Sequence, residues 1–228
     1  MWQFIKSLDI ELFYLINKSG QNGLFDFLMP ILSNLKYFYI PLALVWLFLV
    51  VRWIRLFFTA RRGFRTGSLA VGIILLIALS EYVSSDVLKP FFDRPRPYDA
   101  LSHVRLHGYQ GDWVITPELE EPVFGRSRSL PSSHATNIFA AALLLTFYYR
   151  RWWPLFYMVA FWVAYSRVYL GVHYPTDCLV GAIVGSLCGL LAVWLVKVAG
   201  RFIEKKKVPS ADVAANSDAA TQDPAAPN

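Results

Sequence analysis

Two histidines stand in polar clusters that adjoin long apolar segments of this 228-residue chain. His134 follows two serines in "PSSH", and His173 precedes Asp177 by four residues in "HYPTD". At that spacing the carboxylate can bond one imidazole nitrogen, which fixes the tautomer and leaves the other nitrogen as a nucleophile. His134, near a helix start, is a candidate proton donor to a bound anion. A structural His–Asp pair and an interfacial histidine are the alternative interpretations.

Cations accompany both histidines. The segment "KPFFDRPRP" contains Lys89, Arg94 and Arg96, and its prolines predict that the preceding helix stops near Lys89. Cations held in such a stiff segment can bind an anion, although a helix end that reaches toward water explains them about as well. Arg167 lies six residues before His173 and favours chemistry at that cluster.

The residues before His134 predict the start of a helix. Pro131 suits a helix start, Ser132 or Ser133 suits the N-cap, and His134 then lies in the first turn. The free N–H groups and partial positive charge of a helix N-terminus bind phosphate. With the cations and the two imidazoles, they supply the charge stabilisation, nucleophile and proton donor that phosphoryl transfer needs.

Composition indicates what kind of elements hold these clusters. The chain is 56% hydrophobic and 16% aromatic but only 17% charged, which favours membrane-spanning helices over a soluble domain. The net charge of +6 is better explained by basic loops between apolar spans than by nucleic-acid binding. Cys178 and Cys188 are predicted to be small buried hydrophobes, and no spacing indicates a metal site or a bound cofactor.

The predicted fold is all-α, a polytopic membrane helical bundle. Crossing a bilayer takes about 20 helical residues. Five segments meet this demand: 37–57, 67–88, 133–149, 153–170 and 176–199. The apolar region 23–35 contains Asp26 and Pro30, so it is predicted to be interfacial or re-entrant, with a sixth span as the alternative. The N-terminal segment 1–35 shows no cleavable signal, and its start is predicted to be a helix on the membrane surface.

Basic residues cluster at alternate ends of the five spans, which predicts a cytoplasmic location for those ends. These cations are Arg52, Arg55, Arg61, Arg62, Arg65, Arg150, Arg151, Arg201, Lys205, Lys206 and Lys207. The opposite ends, which include 89–132 and 171–176, face outward. Cations nevertheless occur in 89–132, and a bound anion or a solvated loop of mixed charge explains them equally well. A membrane domain is thus predicted over 1–204, followed by a disordered cytoplasmic tail, 205–228.

In order and spacing, the three clusters resemble the type 2 phosphatidic acid phosphatase (PAP2) superfamily. Its pattern is K-x6-RP, then PSGH, then SR-x5-H-x3-D. The matching residues are Lys89, Arg96, Pro97, Pro131, Ser132, His134, Ser166, Arg167, His173 and Asp177. Ser133 stands where the family usually has glycine, and the spacing favours Arg96 over Arg94 as the phosphate ligand.

The resemblance implies a metal-independent phosphatase. His173 would form a phosphohistidine, Asp177 would orient it, and His134 would act as general acid and then as base. The phosphoryl oxygens would be held by Lys89, Arg96, Ser132, Arg167 and the amide of Ser133. The roles of Glu81 and Asp86, near the outer end of the second span, stay open between pairing with these cations and reaching the interface.

A site at the outer end of a helical bundle favours a lipid phosphate as substrate. The resemblance implies a lipid phosphatase of the bacterial cytoplasmic membrane whose site faces the periplasm or exterior, with undecaprenyl pyrophosphate as the first candidate. Phosphatidic acid, phosphatidylglycerol phosphate and the 1-phosphate of lipid A are the alternatives. A lipid or anion transporter is the competing class, whereas the apolar spans argue against vanadate-dependent peroxidase chemistry. The oligomeric state is not predicted.

Overall fold

The computed structural model describes residues 2–37, 39–60, 64–108, 111–121 and 127–205, which are mostly helical. The α-helices are α1 (Trp2–Tyr14), α2 (Gly23–Ser33), α3 (Tyr39–Ala60), α4 (Phe64–Glu81), α5 (Lys89–Phe92), α6 (Pro97–Ala100), α7 (Ser133–Tyr148), α8 (Trp153–Tyr169) and α9 (Pro175–Lys205). Leu15–Ser19 and Tyr82–Leu88 are π-helical, and Leu35–Tyr37 and Arg150–Trp152 are 3₁₀ turns. Strands β1 (Arg105–His107) and β2 (Trp113–Ile115) form an antiparallel hairpin.

Helices α7 and α9 approach so closely because glycines recur every four residues along one face of α9, at Gly181, Gly185 and Gly189. A Cβ atom built on Gly185 would lie 2.1 Å from the backbone oxygen of Thr136. Stripes of small residues at this spacing let helix backbones pack in membrane proteins. The glycine face therefore fixes the position of α7 against α9.

The beginnings of α7 and α9 meet as a result. The backbone N–H of Ser132 donates to the carbonyl of Asp177 over 3.0 Å. An apolar core joins α4, α7 and α9 below this point, and its buried members are Leu69, Leu76, Ala140, Leu144, Tyr148, Cys188, Ala192 and Val193. The core and the backbone contact together bring the second and third sequence clusters to one end of the bundle.

The predicted apolar segments correspond to α3, α4 with its π-helical extension, α7, α8 and α9. Among the described residues, Leu69–Phe92 and Pro175–Val198 are long and apolar enough to cross a membrane. Helices α7 and α8 have 16 and 17 residues, fewer than the roughly 20 that cross hydrocarbon unaided. The number of crossings, and whether α2 is one of them, therefore stay predictions.

The expected stop near Lys89 is wrong by one helical turn. The chain runs through the π-helical Tyr82–Leu88 into α5 and leaves the helix at Asp93, whose φ is 43°. Pro90 is tolerated because it lies in the first turn of α5, where a missing N–H costs least. The π-helical turn ends just before the lysine, whose backbone N–H bonds to the carbonyl of Ser84.

The β1–β2 hairpin is an addition to the predicted all-α fold, within a region whose structure the sequence did not predict. Gly171, with φ 80°, anchors it, since a Cβ there would lie 2.6 Å from the carbonyl oxygen of Arg105. The amide of Asn17 donates to that same oxygen over 2.7 Å. The hairpin therefore packs on the turn after α8 and on the N-terminal segment.

Helix α1 exposes the apolar side chains expected of a surface helix, including Phe4 and Leu8. Another side of α1 is buried and partly polar: Asp9 is 3% exposed and Phe13 is fully buried, and Asn17, in the π-helical turn that follows, is also fully buried. Such a helix can rest on lipid with one face while the other contacts the protein. Of the predicted tail, only Lys205 lies within the described residues.

Candidate active site

His173 and Asp177 lie where the chain turns from α8 into α9. Pro175 starts α9 and places Asp177 in its first turn. Nδ1 of His173 lies 3.5 Å from Oδ2 of Asp177, and both side chains are buried, at 2% and 0% exposure. This contact is longer than an ordinary hydrogen bond, but catalytic hydrogen bonds often tighten only when substrate binds.

Burial and three nearby cations lower the pKa of His173 well below its ordinary value of 6.5; the cations are Arg167, Arg96 and Lys89. Water is excluded and positive charge is near, so the charged imidazolium is disfavoured. Both effects favour the neutral form of the His173 imidazole. A neutral imidazole, with one nitrogen turned toward Asp177, has its other nitrogen available to attack phosphorus.

His134 occupies the first turn of α7, as its sequence context predicts. Its side chain lies against the backbone of Ser33, at the end of α2, and is close enough to Arg167 and His173 to interact with both electrostatically. The two imidazoles therefore belong to one cluster at one end of the bundle. Ser33 also accepts a hydrogen bond from Nη1 of Arg167, so the end of α2 borders this cluster.

Ser132 and Ser133 lie where α7 begins. Ser132 is the N-cap, but its side chain does not cap the helix, and its buried Oγ has no hydrogen-bond partner among the described residues. Nζ of Lys89 donates to Oγ of Ser133 over 2.7 Å. The serine that replaces the usual glycine is thus a direct contact of the lysine, and Oγ of Ser132 is available to a further group.

The two arginines of "RPRP" have different surroundings. Arg94 donates to carboxylates, with Nη1 2.8 Å from Asp177 and Nη2 2.7 Å from Asp9. Arg96 uses Nε for a long contact of 3.3 Å with the carbonyl of Arg128. The charge of Arg96 acts on His173, whereas Arg94 is held by two carboxylates, and the choice of Arg96 as the phosphate ligand stays a prediction.

Glu81 reaches the same region through a chain of polar side chains. Its Oε1 accepts from Ser85 over 2.7 Å, and Oγ of Ser85 lies 3.0 Å from Oγ of Ser133. Its Oε2 accepts from Asn137 of α7 over 2.7 Å. Glu81 therefore connects indirectly to Lys89, whereas Asp86 is exposed.

Local ion pairs account for some of the cations in residues 89–132. Arg105 pairs with Asp26 over 2.8 Å, and Arg128 pairs with Asp93 over the same distance. Neither needs a bound anion to explain it. Arg126 lies outside the described residues.

Sequence reasoning missed two residues at the site, Asp9 and Ser33. Asp9 lies four residues before Phe13, so both fall on one helix face, but the sequence does not indicate what that face contacts. Ser33 carries no local signal, because its contacts with Arg167 and His134 depend on how α2 docks against α7 and α8.

A first prediction concerns the replaced glycine. Ser133→Gly removes the hydroxyl that holds Lys89, so we expect KM for a phosphate substrate to rise about three- to tenfold with kcat changed by less than about threefold. Steady-state phosphate release measures both constants. Ser7→Ala, which removes an exposed hydroxyl on α1, is the control; an unchanged KM in Ser133→Gly would contradict the role given to this contact.

A family model described as PAP2 superfamily matches residues 69–201. A lipid A 4'-phosphatase from Bacteroides thetaiotaomicron is 31% identical over 61% of this chain and 59% of its own length, so the match spans less than two thirds of that relative. A putative undecaprenyl-diphosphatase, YbjG, from Escherichia coli is 30% identical over 84% of both chains.

The fold has a counterpart among solved structures. A transmembrane PAP2 type phosphatidylglycerolphosphate phosphatase from Bacillus subtilis matches with a TM-score of 0.54 and 21% identity over 91% of this chain and 89% of its own. At that identity the likeness speaks for the fold alone. The family match includes both histidines, Asp177 and the cations around them. By its sequence and by its fold, this chain belongs to the PAP2 superfamily.

Proposed function

We propose that this protein hydrolyses the phosphate monoester or pyrophosphate of a membrane lipid, through a phosphohistidine on His173. Membership of the PAP2 superfamily supports a metal-independent phosphatase, and the names of its relatives support a lipid phosphate as the substrate. The intermediate, the roles of individual residues, the substrate and the membrane face are the proposed part.

One observation carries the proposal. Lys89 lies near the end of the apolar stretch Leu69–Phe92, and Asp177 lies near the start of the stretch Pro175–Val198. The phosphate-binding cluster is therefore at one end of the two stretches best suited to cross a membrane. A phosphate at this level can be reached by a lipid whose tail stays in hydrocarbon, and a water-soluble ester would gain nothing from the placement.

The first step is attack on phosphorus. Because Nδ1 of His173 faces Asp177, Nε2 donates its electron pair and forms the P–N bond. Asp177 stabilises the positive charge that develops on the ring, as the aspartate of a catalytic triad does. Lys89, Arg96 and Arg167, with the hydroxyl of Ser132 and the amide of Ser133, stabilise the phosphoryl oxygens.

His134 completes the reaction. The bound phosphate anion offsets the nearby cations, so His134 takes up a proton in the complex and gives it to the oxygen of the leaving group as the P–O bond breaks. It then takes a proton from water, which attacks phosphorus and breaks the P–N bond to release inorganic phosphate. The contact of His134 with the backbone of Ser33 orients its ring for both transfers.

Undecaprenyl pyrophosphate is the first candidate substrate. The name of the E. coli relative, which matches over most of both chains, supports it. The name of the B. thetaiotaomicron relative supports a phosphate of lipid A, and phosphatidic acid and phosphatidylglycerol phosphate complete the set. The basic ends of the predicted spans support a location in a bacterial cytoplasmic membrane with the site facing outward.

A panel of purified lipid phosphates in detergent tests the proposal. We expect release of inorganic phosphate from at least one of them, at a rate that an excess of EDTA leaves within about twofold, because the mechanism uses side chains alone. EDTA also inactivates contaminating zinc phosphatases, since it removes their metal. A transporter would release no phosphate from any lipid, and that result would overturn the proposed function.

A further inference from the structure

Arg94 joins two buried carboxylates that are distant in sequence. It reaches Asp177 of α9 with Nη1 and Asp9 of α1 with Nη2, at 2.8 Å and 2.7 Å. The side chains of Asp9 and Asp177 are 2% and 0% exposed, whereas that of Arg94 is 24% exposed. The planar fork of a guanidinium suits such a double contact, and the single ammonium of a lysine does not reproduce it.

Thr176 ties the same carboxylate of α1 to the start of α9. Asp9 accepts from the backbone N–H of Thr176 over 2.9 Å and from its Oγ1 over 2.6 Å. Oγ1 of Thr176 in turn accepts from Nη1 of Arg94 over 2.7 Å. Asp9 therefore holds both the arginine and the residue immediately before Asp177.

The charges explain why Asp9, Arg94 and Asp177 are all needed to keep this buried cluster stable. Two carboxylates buried side by side repel each other, and each loses solvation when it leaves water. Arg94 offsets both effects because it lies between them, and the ring of Tyr174 lies 3.8 Å from its guanidinium carbon. Without Asp9, one arm of Arg94 would lose its acceptor, and the arginine could rotate away from Asp177.

The network also fixes which way Asp177 points. Its Oδ1 is held by Arg94, and its Oδ2 accepts from the backbone N–H of Tyr174 over 2.8 Å. With both oxygens held, the carboxylate plane cannot turn, and Oδ2 stays toward Nδ1 of His173. The 3.5 Å separation can then close only through movement of the imidazole.

We propose that Asp9 and Arg94 are positioning residues: from the N-terminal helix, Asp9 locks Arg94 onto Asp177 and so sets the orientation of the catalytic pair. This rests on the proposed phosphatase function. Asp9 lies ahead of residues 69–201, which the family model matches, so the N-terminal helix adds to the site a group that the matched region lacks. Helix α1 is thus part of the catalytic architecture as well as a lipid-facing element.

The test compares Asp9→Asn with Glu11→Gln, which neutralises an exposed carboxylate two residues along the same helix. Asparagine has one acceptor oxygen where the carboxylate has two, so it cannot accept both from Arg94 and from the backbone N–H of Thr176, and it lacks the negative charge that holds the arginine. We therefore expect kcat to fall about 10- to 100-fold in Asp9→Asn. KM, and the inhibition constant of inorganic phosphate, should change by less than about threefold, because the phosphate ligands are untouched. Glu11→Gln should match wild type in all three constants.

Arg94→Lys gives an independent measurement in case Asp9→Asn does not fold. Lysine keeps the positive charge but cannot contact both carboxylates as the guanidinium does, so the same selective loss of kcat is expected. In the double variant, Asp9→Asn should lower kcat little further. Either of two results would overturn the inference: a kcat within twofold of wild type in these variants, or a loss in which KM and the inhibition constant rise in parallel with the fall in kcat.

A spectroscopic readout separates this inference from the proposed function. ¹⁵N chemical shifts of the His173 ring report its tautomer without any turnover. We expect one tautomer, with the proton on Nδ1, in wild type and a mixture in Asp9→Asn. A wild type that releases no phosphate would overturn the proposed function and, with it, the catalytic role of the contact. An unchanged tautomer in Asp9→Asn would overturn the positioning role and leave the proposed function standing.

Discussion

Replacing His173 by alanine is expected to lower kcat by roughly four orders of magnitude or more, since the nucleophile itself is lost. The pair with Asp177 lies in a buried turn, and the neighbouring cations remain in place to bind phosphate. We therefore expect the variant to retain its affinity for inorganic phosphate while losing turnover. Single-turnover phosphate release and phosphate binding measure the two properties separately.

His103→Asn is the matched control for this substitution. His103 is exposed, and its φ of 53° lies in the left-handed region, which asparagine adopts more readily than most residues. It should keep wild-type turnover. Substantial phosphatase activity in purified His173→Ala would show that phosphorus is attacked by another group.

The second large effect is expected from a single methyl group between α7 and α9. In Gly185→Ala, the new Cβ would lie 2.1 Å from the backbone oxygen of Thr136, which cannot move without shifting α7. We expect a loss of about 3 kcal/mol in folding free energy, or a fall in Tm of about 10 °C. Most turnover should also be lost, because His134 lies two residues from Thr136. Thermal unfolding in detergent, followed by size-exclusion chromatography, measures the stability.

Gly72→Ala distinguishes this clash from a general effect of glycine replacement. Gly72 lies in α4, and a Cβ there would lie 3.8 Å from Cδ2 of Leu144, an ordinary contact. Alanine is the better helix former, so this variant should be as stable as wild type or slightly more stable. Equal stability of the two variants would contradict the close packing of α7 against α9.

The sequence predicts the part of the site that is encoded locally. His173 and Asp177 are four residues apart, and Pro175 between them marks the start of α9, so their proximity follows from local sequence alone. The start of α7 was also predicted correctly, because the residues before His134 are a local signal for a helix start. The long apolar segments likewise predict long helices, because a helix satisfies the backbone hydrogen bonds that hydrocarbon cannot.

What the sequence could not predict depends on contacts between distant segments. Asp9 and Asp177 are brought together by Arg94, and no local pattern indicates that α1 docks beside α9. The π-helical turn before Lys89 has no sequence signal that we could identify. The hairpin of β1 and β2 depends on contacts with Asn17 and Gly171, which are distant in sequence. A two-stranded hairpin is marginally stable alone, and strands of three residues leave too short a pattern to predict.

The most direct test of the account is to trap the phosphorylated enzyme. Wild type mixed with a ³²P-labelled lipid phosphate and quenched within milliseconds should carry a label that is stable in base and labile in acid, as a phosphoramidate is. Peptide mapping should place it on the peptide containing His173, and His173→Ala should carry none. A label on another residue, or turnover by wild type with no trapped label under any quench, would contradict the phosphohistidine mechanism.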